Sequence, residues 1–311
     1  NADRVKCYII SHAHDDQMGA LPYIYRKVPA PIYCSKLTAE LIKSKTLIYG
    51  LKPIDYDFHI VENGPTIINN REFVFINMTH SVPGTLSVAI DTDEGYIFYA
   101  SDFIIDFGAP STNQMDFKLL TTLSLKKKIL ILFSESCDAD KPGHASPNHR
   151  ITQHIQREFL ESKGRIFISV YSQNLYNLRE IIELAVKANK KIIFLTDEVE
   201  KLFSHELLES MYSIPASNRA NISEINRLRE QDVLVLIDGC GEDVFQSIIS
   251  FTNGELVNNL TFNENDTFII ACPGVAGTEK ISIEAIDNAY KTGAHVINLT
   301  RKEICSMHAH E

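Results

Sequence analysis

The chain has no apolar run long enough to span a membrane, no CxxC pair, no fixed-period repeat and no excess of basic residues. Each absence excludes a class. Without an 18-residue apolar stretch there is no transmembrane helix to place. Cys7, Cys34, Cys137, Cys240, Cys272 and Cys305 are scattered, which excludes a disulfide framework and a zinc ribbon. They read as reduced, small core residues of a cytoplasmic protein. Thirty Lys and Arg against 40 Asp and Glu leave a net charge of −10, which argues against a generally basic nucleic-acid-binding surface. A local basic groove, or a metal site that itself meets phosphate, remains compatible with that charge. No signal peptide opens the sequence. It begins Asn1-Ala2-Asp3-Arg4 without Met, and it stops on a polar, His-containing loop. Both ends predict a chain trimmed from a longer one.

What is present is an ordinary globular composition, 44% hydrophobic and 23% charged over 311 residues, long enough for two domains. Its most informative stretch is His12-Ala13-His14-Asp15-Asp16-Gln17. An apolar run, Val5–Ile10, precedes it and predicts a strand. The start of a helix follows it. Two histidines two residues apart, with acids close behind, form a compact nitrogen and oxygen donor set suited to zinc or manganese. Gln17 is the odd member, because an amide is a poor ligand.

The chain before residue 148 predicts strands at Val5–Ile10, Pro31–Cys34, Phe58–Val61, Glu72–Ile76, Leu86–Ile90, Tyr96–Ala100 and Lys128–Phe133. Helices are expected over Leu37–Tyr49 and Leu119–Leu125, with turns at Asn69-Asn70 and at 91–95. Polar residues follow several strand ends: Thr79-His80-Ser81, Ser101-Asp102 and Ser134-Glu135-Ser136. Layered α/β folds build sites from loops at strand ends, so these residues and the His12 loop form one candidate constellation. From about Asn148 helices and strands alternate as in a parallel sheet. Strands are expected at Arg165–Val170, Lys191–Leu195, Asp232–Leu236, Thr267–Ala271 and His295–Leu299. Helices are expected at Ile151–Lys163, Asn174–Lys187, Glu198–Met211, Ile222–Glu230, Asp243–Ser250 and Ile281–Thr292. His144, His149, His154, His205 and His295 have no motif context and read as surface or structural residues. Lys126-Lys127-Lys128 and the lysines of 187–191 read as solvated faces.

Taken together, these motifs resemble the β-CASP branch of the metallo-β-lactamase superfamily, and within it the bacterial ribonuclease J family. The similarity covers nearly the whole chain. It implies an α/β protein: a four-layer αββα metallo-β-lactamase domain over 1–147, a β-CASP domain inserted over 148–303, and a return to the first domain at 304–311. The family's His-x-His-x-Asp-His motif falls on His12, His14, Asp16 and Gln17. Its later ligands fall on His80 and Asp102, and the acid of the first β-CASP motif on Glu135. Gln173, Asn174 and Leu175, with the terminal loop Ile304-Cys305-Ser306-Met307-His308, fall where the family cradles RNA phosphate. The catalytic roles implied go to Asp16, Glu135 and His308.

The resemblance implies up to two divalent ions, Zn²⁺ first and Mn²⁺ or Mg²⁺ as alternatives. One would sit on His12, His14 and His80 and the other on Asp16, with Asp102 between them. Two ions about 3.5–4 Å apart suit phosphodiester hydrolysis. The implied partner is single-stranded RNA with a 5′-monophosphate. The implied activity is 5′-to-3′ exonucleolytic, with internal cleavage, in rRNA maturation and mRNA decay. Several departures together resemble the second paralogue, ribonuclease J2, a degenerate partner of ribonuclease J1. Gln17 replaces a ligand histidine, Ile304 the first histidine of the terminal loop and Met307 its glycine, while Tyr176 and Asn177 stand where the family often has His-Arg. The expectation is therefore a metal-dependent ribonuclease with an impaired second site. The alternative is a largely non-catalytic RNA-binding subunit supporting ribonuclease J1, or pairing with its own copy.

Overall fold

A computed structural model describes residues 2–137, 139, 142, 144–147, 149–196, 199–200, 208, 212–257 and 260–302. The chain divides into two compact units. One holds the described residues up to Ser146, the other those from Pro147 on.

The first unit carries two sheets. Strands β1 (Tyr8–Ile9), β2 (Ile32–Cys34) and β3 (Phe58–Ile60) form a parallel three-stranded sheet in that order. Strands β4 (Gly64–Ile68), β5 (Arg71–Asn77), β6 (Leu86–Thr92), β7 (Gly95–Tyr99) and β8 (Ile129–Phe133) form a five-stranded sheet, antiparallel except for the β7–β8 pair. Period-two alternation gives the second sheet two apolar faces. Phe73, Phe75, Leu86, Val88 and Tyr99 pack with Cys7, Ile9 and Tyr33 of the first sheet's strands and loops. Val74, Ile76, Ala89, Tyr96 and Phe98 face the other way, onto Leu119, Leu120 and Leu123 of helix α4 (Phe117–Lys126). Helix α3 (Lys36–Ile48) lies against the three-stranded sheet, with Lys43 Nζ 5.5 Å above the Phe58 ring. Its cap, Ser35, accepts a hydrogen bond from the Thr38 N–H at 3.3 Å.

Two hairpins fix the register of the five-stranded sheet. At Asn69-Asn70 both residues take left-handed φ (48° and 60°), as the tight turn requires. The β6–β7 turn is shorter than expected. Thr92 pairs with Gly95, which leaves only Asp93-Glu94 between the strands. Gly95 takes φ 153°, and a Cβ there would stand 2.5 Å from the Lys128 carbonyl oxygen.

In the second unit β9 (Ile166–Tyr171), β10 (Lys191–Phe194), β11 (Val233–Gly239), β12 (Thr267–Ile270) and β13 (His295–Asn298) form an all-parallel sheet, ordered β10-β11-β9-β12-β13. Helices α5 (Thr152–Glu161), α6 (Leu175–Lys187), α7 (Asp243–Thr252) and α8 (Glu279–Lys291) connect and cover it. Phe167, Val233, Val235, Ile237, Phe268 and Ile270 pack on Phe245, Ile248 and Phe251 of α7 and on Ala285 and Ala289 of α8. The alternate residues Ile166, Ile168, Leu234, Leu236 and Ile269 are equally buried, as a sheet covered on both faces demands. The buried Arg165 guanidinium is held by Asp266 through two hydrogen bonds of 2.9 and 2.5 Å.

Several expectations need correction. The helix expected over Ile222–Glu230 is instead a pair of short 3₁₀ turns, Ile222–Glu224 and Glu230–Asp232. Ile222, Ile225 and Leu228 all pack on the core at a spacing of three, the period of a 3₁₀ turn rather than an α-helix. Strand β4 was not expected. Of the cysteines read as core residues, Cys34 and Cys272 are buried, Cys7 and Cys240 are half-buried, and Cys137 is exposed. The helix expected over 198–211 lies largely outside the described residues, as do His205 and the return at 304–311.

Candidate metal centre

The His12 loop is short and tied at its start. The Ile10 N–H donates to the Tyr33 carbonyl at 3.0 Å, and the Leu86 N–H donates to the Ser11 carbonyl at 3.0 Å. His14 has extended backbone and caps helix α1 (Asp15–Met18), its carbonyl accepting the Gln17 and Met18 N–H groups. This brief turn of helix turns Asp15 outward. Asp15 pairs with Lys45 of α3 at 3.0 Å and accepts a bond from the Tyr49 hydroxyl at 3.5 Å. It therefore anchors the loop to α3.

His80 arrives on the loop after β5 and Asp102 on the loop after β7. The His80 carbonyl accepts from Asn113 Nδ2 at 2.9 Å, and Ile104 N–H donates to the Thr79 carbonyl at 2.8 Å. Asp102 follows Ser101, a buried residue at φ 62°, a left-handed conformation that costs a non-glycine residue about 1–3 kcal/mol. The Phe103 N–H donates to Glu135 Oε1 at 2.8 Å. Glu135 thus sets the loop that carries Asp102.

His12, His14, His80 and Asp102 each offer one donor atom, and the four lie within 4.8 Å of one another. The His80 Nε2 to His14 Nδ1 distance is 3.3 Å, and Asp102 Oδ2 lies 3.5 Å from His12 Nε2 and 3.9 Å from His80 Nε2. Four donors on a tetrahedral ion, bonded at about 2.0–2.1 Å, stand about 3.3–3.4 Å apart, so the spacing fits. The three rings meet edge-on, with centroids 4.6, 4.8 and 4.9 Å apart. His12 and His80 are fully buried, and two imidazoles and a carboxylate in such close array suit a cation.

Two of the imidazoles have hydroxyl partners on the side facing away from this centre. His12 Nδ1 lies 3.1 Å from Ser11 Oγ and 3.4 Å from Ser101 Oγ, and His14 Nε2 lies 2.9 Å from Ser81 Oγ. Such partners orient the rings that present their other nitrogen to the centre.

Residues 163–289 match the model of the family described as "Ribonuclease J, beta-CASP domain". The chain is 27% identical over 310 residues to "Ribonuclease J 2" of Staphylococcus aureus (strain NCTC 8325 / PS 47), and 26% identical over 308 residues to the protein of that name from Staphylococcus epidermidis (strain ATCC 12228 / FDA PCI 1200). The chain is thus similar to ribonuclease J proteins, through the matched β-CASP segment and along nearly its whole length. It spans about 55% of the length of these relatives, while 99% of it is covered by the match. A crystal structure of a protein of unknown function from Enterococcus faecalis V583 superposes with a TM-score of 0.67 at 15% identity, covering 98% of this chain and 71% of that one. That likeness shows a shared α/β fold.

Of the expected ligands the structure brings together His12, His14, His80 and Asp102. Asp16 stands apart. It is exposed, and its Oδ2 accepts a hydrogen bond from Gln17 Nε2 at 2.9 Å. Gln173 and Asn174 precede α6, and Asn174 caps it, accepting the Asn177 N–H at 3.0 Å. Leu175 is buried at the first turn of that helix. Ile304, Cys305, Ser306, Met307 and His308 lie outside the described residues. Sequence reasoning placed Ser81 in the constellation without a role and missed Ser11, Tyr99 and Asn113. Only its adjacency to the ligand motif could have flagged Ser11. The Tyr99 hydroxyl, whose pKa burial pushes up, donates to Gln17 Oε1 at 3.2 Å, a contact across 82 positions that no spacing reveals.

Proposed function

We propose that this chain is a metal-dependent ribonuclease whose catalysis is weakened, acting in the cytoplasm on single-stranded RNA with a 5′-monophosphate, in 5′-to-3′ decay and with some internal cleavage during rRNA maturation and mRNA turnover. The cluster of His12, His14, His80 and Asp102 carries this reading. Those four residues would hold a divalent ion, Zn²⁺ by donor type, with Mn²⁺ or Mg²⁺ as alternatives. When bound, the ion supplies Lewis-acid stabilisation of charge on the phosphate and lowers the pKa of water. Ser11 and Ser81 orient the imidazoles, and Glu135 holds the loop of Asp102. Gln173, Asn174 and Leu175, with Ile304–His308, are assigned to the RNA strand, and His308 to proton donation.

A second reading has one specific support. The Gln17 amide occupies the carboxylate of Asp16, which in an undamaged centre would serve as a ligand. On that reading the chain is an RNA-binding and scaffolding subunit for a ribonuclease J1 paralogue, or for a second copy of itself. Hydrolysis of 5′-monophosphorylated RNA by the protein loaded with Zn²⁺ or Mn²⁺ separates the two. Slow turnover that His80→Ala reduces at least about 100-fold, beyond the 10–100-fold typical of losing an outer partner, supports the enzyme. RNA binding without turnover in wild type favours the scaffold.

A further inference from the structure

The ribonuclease J frame implies two ions, but the residues here fit only one. Asp16 and Gln17 supply what should be the second position, and both are already engaged with each other. A carboxamide can turn either end toward Asp16. Only one end works, because a carbonyl oxygen facing a carboxylate sets lone pairs against lone pairs. With Nε2 donating to Asp16 Oδ2 at 2.9 Å, Oε1 faces inward. There it accepts from the Tyr99 hydroxyl at 3.2 Å and from Ser11 Oγ at 3.5 Å. The amide nitrogen has no lone pair to give an ion, and the only oxygen that could give one is held by two hydroxyls.

The same network reaches the first ion's ligands. Ser11 Oγ lies 3.5 Å from Gln17 Oε1 and 3.1 Å from His12 Nδ1, so one hydroxyl links the amide to a ligand imidazole. The contacts run from His12 Nδ1 to Ser11, from Ser11 to Gln17 and from Gln17 to Asp16, with the Tyr99 hydroxyl on the amide from the side.

We infer that the Gln17 carboxamide stands in for the second ion. Its N–H satisfies Asp16 in place of a cation, its carbonyl is linked to His12 through Ser11, and the centre holds one divalent ion per chain, with Asp16 not a ligand. Tyr99 is a positioning residue in this arrangement. The inference rests on the metal-dependent reading above.

The test counts ions. The chain is stripped with chelator, equilibrated with excess Mn²⁺ or Zn²⁺, freed of unbound ion, and its metal content measured by mass spectrometry alongside calorimetric titration. Wild type is expected at one ion per chain. Gln17→His is expected to reach two, with the second site at least about tenfold tighter than any second binding in wild type. His80→Ala with an unchanged circular dichroism spectrum is expected to fall below one. Two ions on wild type overturn the inference while leaving the metal-dependent reading in place. Gln17→His remaining at one also overturns it, since the amide is then not what excludes the second ion. Zero on wild type defeats both.

Discussion

The two units are both α/β, yet they invest their polar residues in opposite ways. In the second unit β11 is wholly buried, and the buried Arg165 guanidinium is closed off by Asp266. Among the described residues no second group of ligand-type side chains gathers as the four in the first unit do. In the first unit the loops after β1, β5 and β7 carry buried His12, His80 and Asp102 into one place, with left-handed backbone at Ser101. Its edge strand β8 leaves Leu132 and Phe133 more than half exposed. In the parallel-sheet unit the buried Arg165–Asp266 pair is closed on itself. The mixed-sheet unit instead gathers four ligand-type side chains in one place.

That contrast can be broken from either side. Asp266→Ala should have the largest effect. It strands the Arg165 guanidinium, which is 5% exposed, and should cost about 3–5 kcal/mol by denaturant unfolding, with metal content unchanged in the folded protein. A loss below about 1 kcal/mol would show that the pair is not holding the second unit. Ser81→Ala should do the reverse. It removes the partner of His14 Nε2 and should weaken ion affinity about 10–100-fold while leaving the unfolding midpoint of the metal-free protein nearly unmoved.

The smallest effect concerns pH. Burial holds the Glu180 carboxyl above its ordinary value, outweighing the Thr152 N–H that it accepts at 3.0 Å. A raised carboxyl pKa means the folded state holds its proton more tightly than the unfolded one. Its contribution to stability is therefore present below the ordinary value and lost as pH rises through the raised one. Glu180→Gln should flatten that part of the melting temperature profile above pH 4.5, and an unchanged slope would assign the titration to another group.

Much of this was legible in the sequence because ligands sit beside strands whose alternation is plain. His12, His14, His80 and Asp102 each follow a short apolar run, and the structure brings all four together. What escaped did so for physical reasons. Strand β4 contains Pro65, which argues against a strand, but β4 is an edge of its sheet, where a missing N–H costs little. The 3₁₀ turns around Ile222 mimic a helix because i and i+3 coincide in both patterns. The orientation of Gln17 was out of reach, since it is set by Tyr99 from β7 and Ser11 from the loop after β1. The sequence shows that an imidazole is absent. Only the structure shows what the amide does in its place.

The most direct test of the central claim is an anomalous-scattering map from crystals grown with Zn²⁺ or Mn²⁺. The expected result is a single peak bonded to His12 Nε2, His14 Nδ1, His80 Nε2 and Asp102 Oδ2, with none at Asp16. No peak at the three histidines would contradict it.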